Sequence, residues 1–423
     1  MRNVVVGIAI FVAVAGMVWL FCAFIGVDLH IHDYYFAVRS HTSEEERLQK
    51  YFQSFFPGDS ANSTPGFAVL VKKDGRVVFE KGYGVRDLRT KTPIDAQINF
   101  RLASCSKQVT AMAIMLLVRD GKLRYDESLT EIFPEFPAYG KLITVRSLLN
   151  HTGGLPDYED LMDAAEKAKG KIWSAEKQIQ DAEVLRLLEK ESRGKFAPGT
   201  KWEYSNSGYV VLGLIVATTS GKSFAEFLRE RIFTPLKMAN TLVFENGKNV
   251  VANRAYGHSK KDSAFVETDQ SSTSATQGDG GIYSNLEDLS KWDDALRNHT
   301  LLSETDFRPA ISPAKLPPGA EAKLAEDVPE SLRGHANAYG FGWFLNLQDA
   351  QPLMWHYGDT MGFKSAILRY TRDNLTVIVL CNRTDLDQGA LALKAAGAIS
   401  SCELIPADVF HSSRESRRQT VLP

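Results

Sequence analysis

Residues 104–107 read Ser104-Cys105-Ser106-Lys107, and an apolar helical run from Val109 to Val118 follows at once. Positions i and i+3 of a helix share a face, so the Ser104 hydroxyl and the Lys107 amine point the same way, one turn apart. Serine is a poor nucleophile until a neighbouring base takes its proton. Lysine serves as that base when a desolvated or cationic setting lowers its pKa. The tetrapeptide therefore predicts acyl-enzyme chemistry with the nucleophile at the head of a helix. Cys105 offers a thiol beside the serine, but free cysteine is usually a small buried packing residue, and that is the reading adopted.

Two further segments carry compatible chemistry. The first is Trp202-Glu203-Tyr204-Ser205-Asn206-Ser207-Gly208-Tyr209, ahead of an apolar helix from Val210 to Ala217. Tyr204 and Asn206 stand two apart, so an extended or looped backbone turns both toward one cleft. A tyrosine relays protons where a cation lowers its pKa, and Lys107 is the available cation. Asn206 suits a substrate amide; the plain alternative is a helix-entry turn with Asn206 as its cap. The second is Trp355-His356-Tyr357-Gly358-Asp359-Thr360-Met361-Gly362-Phe363. Its glycines permit close backbone approach to a ligand. A backbone N–H here, paired with that of Ser104, makes an oxyanion hole. His356 offers a second cation or a hydrogen-bond donor; taken alone it reads first as a satisfied structural histidine.

The surrounding chain supplies the elements. Leu48, Tyr51, Phe52, Phe55 and Phe56 recur at helical spacing after a Ser43/Glu46 capping box. Phe67–Val71 and Val77–Phe79 flank Asp74-Gly75 and read as a hairpin, with Gly82 to Val85 extending or bulging its second strand. The Ser104 helix ends near Asp120-Gly121. Residues 126–292 are chiefly helical in pattern, with a charged excursion over 159–190 and another helix over 224–232. Residues 303–337 read as a long surface loop. Strand-like runs follow at 339–345, 364–370 and 376–381, with Asp373-Asn374 as a turn, and a helix at 391–399. Strands at both ends and helices between predict one antiparallel sheet with a helical second lobe, and the Ser104 helix at their boundary, where clefts form.

Composition narrows the class. The chain has 423 residues, a formal charge of -2, 44% hydrophobic and 24% charged residues. That describes a globular protein, with no basic excess for nucleic acid. Cys22, Cys105, Cys381 and Cys402 form no Cys-x-x-Cys pair, and neither a disulfide framework nor a metal or cofactor is called for. His30-Ile31-His32-Asp33 is too small a set for a metal site. Val4 to Val27 is uncharged and apolar, longer than the ~20 residues that span a bilayer. Arg2 precedes it and Asp28 and Asp33 follow, which predicts a cytoplasmic N-terminus and an exported body. An uncleaved transmembrane anchor over residues 1–27 is favoured over a cleaved signal peptide, whose apolar core is shorter. Residues 28–42 then form a juxtamembrane linker, 43–404 the folded domain with its helical lobe over 126–292, and 405–423 a polar tail.

Ser-x-x-Lys, Tyr-x-Asn and His-x-Gly, in that order, resemble the serine β-lactamase and penicillin-binding-protein superfamily, in the branch of class C β-lactamases, D-alanyl-D-alanine carboxypeptidases and related esterases. The stretches Leu148–Pro156, Phe196–Thr200, Gly278–Ser284 with Asp288, Leu289 and Trp292, and Tyr339–Trp343 resemble further segments of it. The resemblance runs from about Ser43 to about Ser401. It implies an α+β fold in which a sheet flanked by helices faces an all-helical lobe. It implies that Ser104 is acylated and that Lys107 and Tyr204 share the general base and acid work. Asn206 positions the substrate amide, His356 and Gly358 border the cleft, and the Asp359 and Ser104 N–H groups hold the oxyanion.

Class C β-lactamases carry Lys-Thr-Gly where this chain has His356-Tyr357-Gly358. A mostly neutral imidazole attracts a substrate carboxylate less than lysine does, Tyr357 narrows the cleft, and Asp359 adds a negative side chain. Histidine there is seen in some carboxypeptidases, D-aminopeptidases and esterases of the branch. The sequence thus predicts a membrane-anchored serine hydrolase acting on a small ester, amide or peptide. A D-stereospecific peptidase of cell-wall fragments and a catalytically silent scaffold are the alternatives. Complete Ser104, Lys107 and Tyr204 oppose the last.

Overall fold

The computed structural model describes residues 45–58, 60–317, 324, 328–347 and 351–399. The apolar run at 4–27, the linker at 28–42, Ser43 and the tail from 405 lie outside them. The chain forms two compact units, Met1–Lys50 and Tyr51–Pro423. In the first, residues 45–50 are helical. The second contains the site.

Twelve strands occur among the described residues: Phe67–Lys73 (β1), Arg76–Tyr83 (β2), Phe100–Arg101 (β3), Leu242–Val243 (β4), His258–Lys261 (β5), Ala264–Glu267 (β6), Ile282–Ser284 (β7), Ala338–Tyr339 (β8), Phe344–Asn346 (β9), Leu353–Thr360 (β10), Phe363–Tyr370 (β11) and Leu375–Cys381 (β12). Seven build one antiparallel sheet in the order β2-β1-β12-β11-β10-β9-β8. The N-terminal hairpin therefore joins the C-terminal strands edge to edge, as the pattern predicted. Asp74 and Gly75 both take positive φ, 50° and 77°. That pair of left-handed residues matches the right-handed twist of a two-residue hairpin. Alternation along β1 turns Ala68 and Leu70 into the main core, while Phe67 packs on Phe52 and Phe56.

Two strand assignments change. The 339–345 run is not one strand: Gly340 to Trp343 turn the chain back and β8 pairs with β9. Gly342 has φ 75°, and a Cβ there would lie 2.7 Å from Gln108 Cα, so this tight turn docks against the nucleophile helix. Most of the 355–363 segment, read as a glycine-bearing approach to a ligand, belongs to the eight-residue β10, Leu353–Thr360, at the heart of the site.

The 126–292 lobe is not all-helical. Its helices are Leu129–Ile132, Val145–Leu149, Tyr158–Lys169, Asp181–Leu188, Asn206–Ser220 and Phe224–Leu228, the last running into a π-helical turn, Arg229–Phe233, before Leu286–Arg297 closes the segment. Between them lie β4 to β7, in a three-stranded sheet β3-β7-β4 and a two-stranded sheet β5-β6. Strands of two to four residues are too short to show a period in sequence. Asn206–Ser220 is apolar nearly all round because it is the lobe's centre; Val210, Val211, Leu212, Ile215 and Val216 are all fully buried. Among the described residues no single helix is long and apolar enough to cross a membrane.

The sheet and the lobe meet at residues 103–107. A 3-10 turn, Ala103–Ser106, feeds the helix Lys107–Arg119. That helix packs on Asn206–Ser220, and the turn lies against β10 and β11.

Candidate active site

Ser104 is delivered by a strained corner. Ala103 has φ 48°, a left-handed conformation that non-glycine residues seldom adopt. The corner is tied to the sheet because Ser365 Oγ on β11 donates to Leu102 O at 2.7 Å. Gly358 on β10 faces the same corner. A Cβ at Gly358 would overlap Leu102 O and Ser365 Oγ and lie 3.0 Å from Ala103 Cβ. Only a bare backbone brings β10 this close to the nucleophile.

Lys107 is fully buried. Its Nζ donates to Ser104 Oγ at 3.0 Å, Asn206 Oδ1 at 2.8 Å and Asp279 O at 2.9 Å. Three partners use all three protons of an ammonium. Burial drives its pKa down to about 8, with the nearby Asp279 carboxylate the leading opposing charge. At neutral pH a fraction of Lys107 is therefore the free amine. Two N–H bonds then persist and the lone pair turns to the Ser104 hydroxyl, the geometry of a general base.

Tyr204 lies over this group, with Lys107 Nζ 4.9 Å from its ring centroid. The expectation that Lys107 lowers the Tyr204 pKa is not met. Burial pushes it well above 10, and Tyr357 adds to that; an interaction with the Ser104 side chain favours the phenolate but does not prevail. Tyr204 stays a protonated phenol. Lys107, not Tyr204, has the pKa of a base.

Asn206 is the first residue of its helix, and the cap is Ser205, whose Oγ accepts the Gly208 N–H at 3.1 Å. The alternative of Asn206 as cap is thereby removed. With Oδ1 committed to Lys107, what Asn206 offers a ligand is its Nδ2 donors.

His356 is fully buried on β10. Its Nδ1 bonds Tyr357 O at 2.6 Å and its Nε2 bonds Tyr339 Oη at 3.1 Å. A carbonyl only accepts, so Nδ1 carries the proton and Nε2 accepts from the tyrosine. Burial, then the charge of Lys107, drive its pKa down to about 3. His356 is thus not a second cation; it is a neutral ring packed on Phe344, 5.2 Å away between centroids. Asp359 follows on β10 with a half-exposed side chain, and Lys364 pairs with it at 3.5 Å. The negative charge predicted there is therefore partly neutralised. Burial nonetheless raises the Asp359 pKa above its usual range.

Cys105 is fully buried, its Sγ set against His356 O at 3.4 Å, and burial pushes its pKa up to about 12. It is a packing residue. One participant escaped sequence reasoning: Asp279 supplies Lys107 with its third acceptor through a main-chain carbonyl, a role with no side-chain signature. Among the described residues, no group of histidine, cysteine or acidic side chains is arranged to hold a metal ion.

Comparison with known proteins identifies the family and the fold. The Beta-lactamase family profile matches residues 46–399. Penicillin-binding protein 4* of Bacillus subtilis (strain 168) is 30% identical over 368 residues, covering 84% of this chain and 75% of that protein. The crystal structure of a penicillin binding protein from Bacillus halodurans superposes with a TM-score of 0.65 at 26% identity, covering 79% of this chain and 95% of that one. The D-amino acid amidase from Ochrobactrum anthropi SV3, in complex with D-phenylalanine, gives a TM-score of 0.62 at 26% identity, covering 83% of this chain and 99% of the amidase.

Proposed function

The chain belongs to the Beta-lactamase family, and from that premise we propose that it is a serine hydrolase that forms an acyl-enzyme on Ser104 and releases the acyl group to water. The observation that carries this reading is the triple hydrogen bonding of a buried Lys107 to Ser104, Asn206 and Asp279. The neutral amine takes the Ser104 proton as Oγ attacks the acyl carbon. Tyr204, a phenol at working pH, passes a proton to the leaving group and is reprotonated from Lys107. The Asn206 Nδ2 donors hold the acyl donor's amide or carbonyl oxygen. The N–H groups of Ser104 and Asp359 receive the oxyanion. Water then repeats the sequence on the acyl-enzyme.

The acyl donor is a small ester, amide or peptide rather than an anionic β-lactam. A neutral, internally bonded His356 supplies no charge for a substrate carboxylate. Likeness to the D-amino acid amidase favours a D-aminoacyl amide or peptide within that class. The N-terminal apolar run anchors the chain in a membrane, with the hydrolase on the exported side. Turnover of a panel of p-nitrophenyl esters, D-amino-acid amides and nitrocefin tests the reading. Hydrolysis of esters or D-amides in preference to nitrocefin is expected. Efficient nitrocefin hydrolysis would overturn the substrate class, and no turnover with any of them would favour the scaffold alternative.

A further inference from the structure

We infer that His151 is the positioning residue for the proton-carrying tyrosine: its carbonyl accepts the Glu203 N–H and its ring Nδ1 accepts the Ser205 N–H, so the residues before and after Tyr204 are both tied to one buried histidine, by its backbone on one side and its ring on the other. The two bonds measure 3.0 Å and 3.1 Å. The inference rests on the reading of Tyr204 as the proton carrier.

His151 is only 1% exposed, and its ring is fixed by its neighbours. Ring centroids lie 4.4 Å from Tyr204, 4.5 Å from Tyr339 and 5.1 Å from Tyr209, with Trp202 edge-on at 5.8 Å. Since Nδ1 accepts, the proton of the neutral ring resides on Nε2. Burial keeps the ring neutral, and the charge of Lys107 opposes a second cation. Among the described residues Nε2 is buried with no hydrogen-bond partner, so Nδ1 makes the one hydrogen bond of the ring there. The backbone makes a separate demand. His151 has φ 61°, a left-handed conformation in which histidine, asparagine and aspartate are enriched among non-glycine residues. One residue thus supplies a left-handed corner, an acceptor at Nδ1 reach and an aromatic face against Tyr204.

Packing alone and positioning through the acceptor make opposite forecasts. His151→Phe keeps the aromatic face and loses both the acceptor and the residue type suited to the left-handed corner, so a tautomer measurement isolates the acceptor. His151→Asn loses the face but keeps a left-handed-tolerant backbone and an acceptor near the Nδ1 position. Rates of labelling by a fluorophosphonate, resolved into the maximal rate and the half-saturating concentration, separate them. His151→Phe is expected to lower the maximal rate about 100-fold, the scale of a misplaced catalytic group, with little change in half-saturation. His151→Asn is expected to restore it to within about tenfold of the parent. Phenylalanine at parental rate, or asparagine the slower of the two, would overturn the inference. The 15N spectrum of the parent protein gives a test that needs no variant: an Nε2–H tautomer with an unprotonated Nδ1 is expected, and an Nδ1–H tautomer would refute it. Ser104→Ala separates the two levels. If Ser104→Ala still labels fully, the hydrolase reading itself fails. If only Ser104→Ala is silent and His151→Phe is unimpaired, the positioning role alone fails.

Discussion

The rate of Ser104 acylation should rise with pH and level off above a midpoint near 8, because Lys107 attacks the serine proton only as the free amine. Its pKa is lowered to about 8 by burial, not by a neighbouring cation. A group with that pKa is about 1% neutral at pH 6, half neutral at pH 8 and about nine-tenths neutral at pH 9. Acylation should therefore gain about 50-fold between pH 6 and 8, and no more than about twofold beyond. The neighbouring ionisable groups leave that window clear with one exception. His356 is held at about 3, His151 lies well below 6.5, and Tyr204 well above 10. The exception is Asp181, raised to about 8 by burial and then by Asp279, and held by the Gln277 N–H at 3.0 Å. Asp279 bonds Lys107 through its carbonyl, so the two titrations share a neighbour and the profile should be broader than one ionisation. Asp181→Asn should sharpen it. The assay is the pseudo-first-order rate of labelling by a fluorophosphonate, followed by intact mass from pH 5.5 to 9.5. A flat profile, a falling one, or a midpoint at the 6.5 of an ordinary histidine or the 10.5 of an unburied lysine would refute the reasoning.

Three further expectations follow from the geometry. Gly358→Ala drives a methyl into Leu102 O and Ser365 Oγ, and should abolish labelling while lowering stability by about 1–3 kcal/mol in urea unfolding; a labelled, fully stable variant would show that β10 has slack. Asp293 is buried and holds Arg369 at 2.8 Å, Thr376 at 2.7 Å and Lys72 at 3.5 Å between β1, β11, β12 and the Leu286–Arg297 helix. Asp293→Ala should cost about 3–5 kcal/mol, because it strands the buried Arg369, whereas Lys72 keeps Asp294 at 2.8 Å. The Asp293 pKa is net lowered, with Arg369 the leading stabilising charge against burial. Its contribution should hold at neutral pH and vanish as acid protonates it below the ordinary carboxylate range, an effect that Asp293→Asn removes from the pH-stability curve. Asp359→Gly should improve turnover of anionic relative to neutral esters, by little because Lys364 already offsets the charge; an unchanged ratio would remove Asp359 from substrate selection.

Much of this was legible where chemistry and local geometry coincide. Ser104 and Lys107 are one helical turn apart in any helix, and Asp74-Gly75 names its own hairpin. Burial is the step that residue types do not encode. Taken alone His356 reads as a structural histidine and in its motif as a second cation, and its enclosure by Tyr339, Phe344 and Tyr357 decides for the neutral ring. The sequence predicts a Tyr204 pKa lowered by Lys107, yet desolvation acts on both groups, lowering the lysine and raising the tyrosine. The β8–β9 turn was hidden because Gly340 and Gly342 interrupt what otherwise reads as one aromatic-rich strand. The Asp279 carbonyl was invisible because every residue has one.

The central claim is that Ser104 is a nucleophile activated by Lys107. Intact-mass spectrometry after exposure to a fluorophosphonate or a labelled penicillin tests it most directly, in the parent, Ser104→Ala and Lys107→Met. The account predicts a single adduct in the parent, mapped to Ser104, no adduct in Ser104→Ala, and labelling slowed at least about 100-fold in Lys107→Met. An adduct that survives Ser104→Ala, or parental labelling without the lysine, would contradict it.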